Sequence, residues 1–202
     1  MRPEDILPTY ERQARAFDIA RSKTLFERPW LDRMLGYTPQ TEGKRHVLDL
    51  GCGSGRPIAQ YLYDRRCEVT GVDGAAAMVA LFQQNLPRAR AIRADMRGLD
   101  LGETFDAVVA WDSFFYLTPD EQRAASPRLA DHLAPGGRML VTVGPEAGEV
   151  TGHVGTEEVY HASLSPAEYA TRLEDCGLRL TAFVAEDPGC EKHTVLMARK
   201  ND

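Results

Sequence analysis

The sequence predicts an α/β protein: a doubly wound, parallel sheet between two layers of helices. Three observations indicate this class. Strand-like and helix-like segments alternate from about residue 46, the first predicted strand runs into the glycine-rich stretch "GCGSG" at 51–55, and carboxylates follow three successive predicted strands. Strands joined by crossover helices form parallel sheets, and such strands are apolar throughout because helices cover both faces.

The individual elements follow from apolar runs and from the residues that interrupt them. Short apolar runs predict seven strands, over residues 46–50, 68–73, 89–95, 105–112, 138–143, 178–185 and 193–199. Helical spacing, with stops such as Pro87 and "PGG", predicts helices over residues 55–65, 75–86 and 119–134. Ser165 as N-cap, Pro166 as first helical residue and Gly177 after the last turn predict one more helix.

Two segments lie outside this alternation. Residues 1–40 form an N-terminal helical cap, and we expect a helix over 9–26 to lie across the edge or the active face of the sheet. Residues 145–164 are polar and glycine-rich, and so long an insertion in a compact domain is more often functional than idle. We therefore expect a single domain over residues 1–202, with the insertion on the substrate side.

Composition excludes several classes of protein. The formal net charge of −6 disfavours nucleic acid as a partner. The longest apolar run, 75–82, is too short to span a membrane, and the start "MRPEDILPTYERQ" lacks the apolar core of a secretory signal. Four cysteines without a C-x-x-C pair suggest neither a zinc site nor a disulfide framework. We expect reduced thiols and a cytoplasmic protein.

The glycine stretch narrows the choice of ligand. Glycines let the backbone turn sharply and let a ligand approach closely, and the helix that follows offers free N–H groups. Gly51 and Gly53 fit the dinucleotide pattern G-x-G-x-x-G, but Arg56 occupies its third glycine position. The Gly-Lys-Ser/Thr of a P-loop is absent as well. A nicotinamide oxidoreductase is therefore disfavoured, and a tight turn without a ligand is the plain alternative.

Carboxylates mark the ends of three predicted strands. Asp49 lies inside the first apolar run, where a carboxylate is costly without a partner. Asp73 ends the second strand, where it can accept hydrogen bonds from the hydroxyl groups of a ribose, and Asp95 ends the third. Carboxyl ends of parallel strands meet at one edge of the sheet. These three side chains are thus predicted to line one ligand crevice.

Five segments, in the correct order over about residues 45–145, resemble the motifs of class I S-adenosylmethionine-dependent methyltransferases. They are "VLDLGCGSG" (47–55), "GVDGAAAMV" (71–79), "ADM" (94–96), "FDAVVAWDSFFYL" (105–117) and "LAPGGRMLVTVG" (133–144). The resemblance implies a Rossmann-like, three-layer α/β/α fold whose sheet is mostly parallel with an antiparallel last strand, here 193–199. It also implies S-adenosylmethionine as cofactor and S-adenosylhomocysteine as product.

The resemblance assigns roles in cofactor binding to the matching positions. Asp49, Gly51, Cys52 and Gly53 would hold the methionine part, with Asp49 acting on its ammonium group, and Asp73 would hold the ribose hydroxyls. Further contacts would surround the adenine or close the site: Gly74, Met78, Asp95 and Met96 around the adenine, Trp111 and Asp112 at the end of the fourth strand, and Tyr10 as a cap.

The acceptor of the methyl group is less well defined by sequence. Residues 111–117 lack the Asn/Asp-Pro-Pro-Tyr/Phe sequence of amino-methylating DNA methyltransferases, which, with the negative net charge, argues against a DNA base as acceptor. The acceptor predicted here is a small molecule. His153 and His161 in the insertion are the candidate general bases, although a loop histidine is commonly just solvated. Their spacing lacks the geometry of a metal motif, so no metal is predicted. An RNA- or protein-modifying methyltransferase, a non-catalytic cofactor-binding protein and a homodimer stay open.

Overall fold

The computed structural model describes residues 2–41 and 43–202. Its six α-helices within these ranges are α1 (Ile6–Ala20), α2 (Arg28–Tyr37), α3 (Ile58–Asp64), α4 (Ala76–Asn85), α5 (Pro119–Asp131) and α6 (Pro166–Asp175). The strands are β1 (His46–Leu50), β2 (Glu68–Asp73), β3 (Arg90–Arg93), β4 (Phe105–Ala110), β5 (Leu133–Val143), β6 (Gly148–Val154), β7 (Glu157–Ser163), β8 (Leu178–Asp187) and β9 (His193–Lys200).

Seven of the strands form one sheet in the order β3-β2-β1-β4-β5-β9-β8. Strands β1 to β5 pair in parallel, whereas β9 is antiparallel to both of its neighbours, β5 and β8. The predicted doubly wound sheet and its antiparallel last strand are confirmed. Because β9 runs in the opposite direction, its first residue lies at the edge where the parallel strands end.

Helices cover both faces of the sheet, which explains why its central strands are apolar. Along β1, Val47 packs in a core with residues of α2, α3 and α4, whereas Leu48 and Leu50 pack in a second core with residues of α5 and α6. The alternation has the period of two residues that a strand requires. The protein therefore has the three-layer α/β/α architecture that the sequence predicts.

The N-terminal segment differs from its prediction. The helix predicted over 9–26 begins and ends earlier, because Arg21 leaves the helical conformation with φ −57° and ψ 123°. A second helix, α2, was not predicted, and it buries Trp30, Leu31 and Met34 against the sheet. Helix α1 lies over the carboxyl ends of the strands, the active face that was one of its two expected positions, and its Ala14 packs on Met78 of α4.

Residues 145–164 have a regular structure that the sequence analysis did not assign. Strands β6 and β7 pair as an antiparallel hairpin, separate from the main sheet. Val154 and Val159 of this hairpin are buried against Ile6 of α1. The insertion therefore packs against the N-terminal cap. Elsewhere in the described ranges, no helix combines the length and the apolar character needed to cross a bilayer.

Candidate functional site

A cavity of about 1090 Å³, including its open mouth, lies at the carboxyl ends of β1 to β4 and beneath α1. Binding sites in open α/β sheets occupy this edge. All the residues predicted to bind the cofactor line the cavity: Tyr10, Asp49, Gly51, Cys52, Gly53, Asp73, Gly74, Met78, Asp95, Met96, Trp111 and Asp112. The structure thus brings the whole predicted set together around one space.

The glycine loop forms the floor at the end of β1, and its glycines serve different purposes. Gly51 and Gly53 have φ angles of 70° and 52°, which other residues adopt at a cost. A Cβ atom on Gly51 would lie 2.2 Å from the Cβ of Ser113. A Cβ atom on Gly53 would meet nothing closer than 3.9 Å. Gly51 is therefore required for packing against the end of β4, whereas Gly53 presents its backbone to open space.

Asp49 is a buried carboxylate that faces the cavity without a protein partner. Its side chain is 3% exposed, and among the described residues no group donates a hydrogen bond or forms an ion pair with it. Burial, together with the nearby charge of Asp73, raises the pKa of Asp49 to about 7. A carboxylate so placed is costly unless a ligand supplies a donor or a positive charge.

Asp73 is held by two backbone amides. Its Oδ2 accepts a hydrogen bond from the Gly53 amide at 3.0 Å, and its Oδ1 accepts one from the Ala75 amide at 2.8 Å. Burial raises the pKa of Asp73, although both hydrogen bonds act in the opposite direction. A carboxylate has about four acceptor positions, so each oxygen of Asp73 keeps capacity for a hydroxyl group.

The far end of the cavity has a different charge pattern. Arg97 donates from Nε to both oxygens of Asp95 at 2.9 Å, and its Nη1 reaches Glu121 of α5 at 3.1 Å. Met96 follows Asp95 in a short 3-10 helix. This end combines an apolar side chain with a carboxylate whose position is fixed by an arginine.

The roof of the cavity consists of the N-terminal cap. The hydroxyl oxygens of Tyr10 and Tyr116 lie 2.5 Å apart, and Tyr10 also packs edge-on against Phe17. Leu7 contacts Gly74 so closely that a Cβ atom there would lie 2.5 Å from its Cδ2. Helix α1 therefore touches both the end of β2 and the segment after β4, and it shields the cavity from solvent.

Two residues at the site were not predicted: Arg21, which lines the cavity, and His193, which contacts a lining residue from behind. Arg21 follows α1 and forms an ion pair with the fully buried Glu27. His193, the first residue of β9, has its Nε2 3.0 Å from Oδ1 of Asp112 and lies behind this wall residue. The antiparallel direction of the last strand was the signal for His193, because it carries the first residue of that strand to the functional edge of the sheet.

The histidines of the hairpin lie away from the cavity lining. His153 is exposed on β6, opposite Glu158 of β7. His161 is half-buried, with its ring 4.6 Å from that of Phe115 and 5.1 Å from that of Tyr116. Burial lowers the pKa of His161, partly opposed by the charge of Asp112. Only His161 thus contacts a residue of the cavity wall, and its Nε2 has no partner within the described chain.

The proteins that this chain resembles are methyltransferases, by family and by name. Residues 47–137 match the family described as "Methyltransferase domain". The chain is 36% identical over 115 residues to trans-aconitate 2-methyltransferase of Delftia acidovorans. The aligned region covers 54% of this chain and 42% of that protein. It is 32% identical over 112 residues to dTDP-3-amino-3,4,6-trideoxy-alpha-D-glucopyranose N,N-dimethyltransferase of Streptomyces venezuelae, covering 54% of this chain and 46% of that enzyme. The matches thus span less than half the length of these relatives.

Solved structures share the fold over nearly the whole chain. CalS10, an amino pentose methyltransferase from Micromonospora echinaspora solved with S-adenosylmethionine bound, has a TM-score of 0.71 at 23% identity, covering 96% of this chain and 97% of that one. DesVI of Streptomyces venezuelae has a TM-score of 0.71 at 20% identity, covering 93% and 96%. Because the sequence identities are this low, the structural similarity shows a shared fold alone.

Proposed function

We propose that the chain is a class I S-adenosylmethionine-dependent methyltransferase, which methylates a small molecule with S-adenosylmethionine as donor and releases S-adenosylhomocysteine. The observation that carries this proposal is the buried carboxylate of Asp49, which faces the cavity and has no partner among the described residues. An ammonium group of a ligand would satisfy it. We take the chain as a single domain over residues 1–202, with residues 1–40 as the cap.

The residues present fit the proposed cofactor. Asp73, fixed by two amides, would accept hydrogen bonds from the ribose hydroxyls. Asp95 and Met96 would contact the adenine, with Gly74 and Met78 beside it. The amino-acid end would lie on the glycine loop near Asp49, and the guanidinium of Arg21 would attract its carboxylate. The remaining predicted contacts, Tyr10, Cys52, Trp111 and Asp112, would close the site.

The protein contributes position and shielding to such a transfer. When bound, the cofactor supplies an activated methyl group on a positively charged sulfur. The aromatic faces of Tyr10, Tyr116 and Trp111 line the same cavity and can attract that charge. The floor of glycines and the roof of α1 would hold both reactants in line, and good alignment contributes about 7–11 kcal/mol to such reactions.

A small molecule is the acceptor that the cavity favours. Helix α1 covers the cavity, and the protein carries a net charge of −6, which disfavours a nucleic acid. The relatives are named for trans-aconitate and for an amino sugar nucleotide, which are both small molecules. If a general base is used, His161 is the better placed of the two hairpin histidines, because it contacts Tyr116.

We place this activity in the cytoplasm. Cys52, Cys67 and Cys190 are buried free thiols, and Cys176 is a partly exposed one. Reduced cysteines are typical of cytoplasmic proteins. The absence of disulfides among the described residues is consistent with this placement.

The proposal is tested by calorimetry with S-adenosylhomocysteine. The natural chain is expected to bind it, and Asp73→Ala is expected to weaken binding at least about tenfold, because a charged acceptor of two hydroxyl groups is lost. Asp175→Ala, which removes an exposed carboxylate outside the cavity, is the matched control and should bind normally. Absence of binding to the natural chain would refute the proposal, and equal binding by Asp73→Ala would refute the ribose assignment.

A further inference from the structure

His193 is the first residue of β9, and the direction of that strand determines where it lies. Because β9 is antiparallel to β5, and Thr194 pairs with Val143 at the end of β5, His193 lies at the edge of the sheet that carries the cavity. Its ring packs against two aromatic rings, 5.2 Å from that of Phe26 and 5.6 Å from that of Trp111. The orientation of the imidazole is therefore fixed by packing.

Both ring nitrogens of His193 have a partner that accepts. Nδ1 lies 2.9 Å from the carbonyl oxygen of Cys190, and Nε2 lies 3.0 Å from Oδ1 of Asp112. A carbonyl lacks a hydrogen to donate, so Nδ1 donates to Cys190, and a further proton on Nε2 gives the imidazolium that can pair with the carboxylate of Asp112. The geometry thus suits an ion pair between a protonated His193 and Asp112.

The charges around this pair support the same protonation state. Burial lowers the pKa of His193, and the positive charge of Arg21 acts in the same direction. The hydrogen bond and charge of Asp112, with the carbonyl of Cys190, outweigh them and raise the pKa above its usual value. His193 therefore supports the negative charge of Asp112 from outside the cavity lining.

Asp112 retains one carboxylate oxygen for a ligand. Its Oδ2 has Arg21 as a distant partner, with 3.9 Å to Nη2, and that arginine is already paired with Glu27. The backbone of Asp112 has a left-handed φ of 50°, and its amide donates to Oγ1 of Thr142 at 2.7 Å. Such conformations cost energy and cluster at functional sites.

The position of Asp112 relates it to the amino-acid end of the proposed cofactor. The next residue, Ser113, donates a hydrogen bond from Oγ to the carbonyl of Leu50 at 2.7 Å. Ser113 also fills the space where a side chain on Gly51 would lie. Asp112 therefore borders the glycine loop on which the methionine part would bind.

We propose that His193 is a positioning residue, which holds Asp112 as a carboxylate that accepts the ammonium group of the cofactor's amino-acid end. This inference rests on the proposed function. Asp112 and Asp49 would then approach the ammonium together, and Arg21 beside Asp112 would attract the carboxylate. The charges of Asp112 and Arg21 on the cavity wall are thus opposite to those of the ammonium and carboxylate groups of the ligand.

The test compares ligands that share the adenosine group but differ at the other end. S-adenosylhomocysteine has both the ammonium and the carboxylate, decarboxylated S-adenosylmethionine keeps the ammonium alone, and 5′-methylthioadenosine has neither. Binding of each is measured by calorimetry to the natural chain, His193→Gln and Asp112→Asn. We expect both variants to lose about tenfold or more affinity for the two ammonium ligands. Affinity for 5′-methylthioadenosine should change by less than about twofold, because its contacts are retained.

A spectroscopic readout separates positioning from a merely structural role. In protein labelled with ¹⁵N-histidine, the ring of His193, assigned by its loss in His193→Gln, should stay protonated at neutral pH, and Asp112→Asn should lower its pKa. Equal losses for all three ligands, unchanged binding of the ammonium ligands, or a neutral His193 would each overturn the inference alone. If the natural chain binds none of the ligands, the proposed function fails and this inference fails with it.

Discussion

Arg12 in α1 and Glu157 in β7 form an ion pair, with 2.6 Å between Nη2 and Oε2. Gln13 donates a further hydrogen bond to Oε1 of Glu157 at 2.7 Å. The N-terminal cap and the hairpin, which are about 145 residues apart in sequence, are thus joined through one side chain. A motion of α1 relative to the hairpin would separate these contacts.

Removal of this connection is expected to loosen the roof. In Glu157→Ala, amide hydrogens of α1 should exchange faster with solvent, and S-adenosylhomocysteine should dissociate about fivefold faster. The effect is modest because Arg12 is 58% exposed, and partly exposed ion pairs contribute about 1 kcal/mol or less. Glu158→Ala, which removes the exposed neighbouring carboxylate, is the control. Unchanged exchange in Glu157→Ala would show that α1 is held by its apolar contacts instead.

The two glycines of the loop are expected to tolerate alanine differently. Gly53→Ala should cost only the left-handed conformation, about 1–2 kcal/mol of unfolding free energy. Gly51→Ala carries the same cost and also collides with Ser113, so it should lose about 1–3 kcal/mol more. Urea unfolding measures both. In a Ser113→Gly background the additional loss at Gly51 should shrink, and an unchanged loss would contradict the packing role.

Asp49 is expected to make stability depend on pH. Its folded-state pKa of about 7 lies above the usual value of 3.8, so the unfolded chain releases the proton first and stability falls as pH rises between them. Asp49→Asn removes this loss. The variant should therefore gain stability over the natural chain from about pH 4 to pH 7, by up to roughly 4 kcal/mol at about 1.4 kcal/mol per pKa unit. A stability difference independent of pH would contradict the burial of an unpaired carboxyl.

His193 should have the opposite dependence. Its pKa is raised in the folded state, so its contribution to stability is complete below about pH 6.5 and is lost as pH rises through the folded-state value. His193→Gln should therefore be less stable than the natural chain near pH 6, and the gap should narrow in more alkaline solution. Thermal unfolding across this pH range measures the gap. A gap that widens with pH would contradict an imidazolium paired with Asp112.

The sheet and the lining of the cavity were predictable because both depend on short stretches of chain. Each strand of a parallel sheet is a local apolar run, and the carboxyl ends of such strands share an edge. Asp49, Asp73 and Asp95 therefore had to lie close together once the strands were recognised. The glycine spacing then distinguished this loop from one that binds a dinucleotide.

The hairpin and His193 depend on contacts that the local sequence does not encode. The hairpin over 145–164 buries Val154 and Val159 against Ile6 of α1, and the position of that helix does not follow from the local sequence. The local feature that indicates a hairpin is the two-residue loop Gly155-Thr156 between β6 and β7. His193 meets Asp112 only because β9 inserts antiparallel between β5 and β8. Such a contact is visible once the strand order is known.

We expect the cavity to bind S-adenosylmethionine with its amino-acid end on the glycine loop. A crystal structure with S-adenosylhomocysteine is the decisive measurement. The ribose hydroxyls should lie within hydrogen-bond distance of Asp73, the adenine beside Asp95 and Met96, and the ammonium group near Asp49 and Asp112. A ligand bound in the reverse orientation, or outside this cavity, would refute the proposed site.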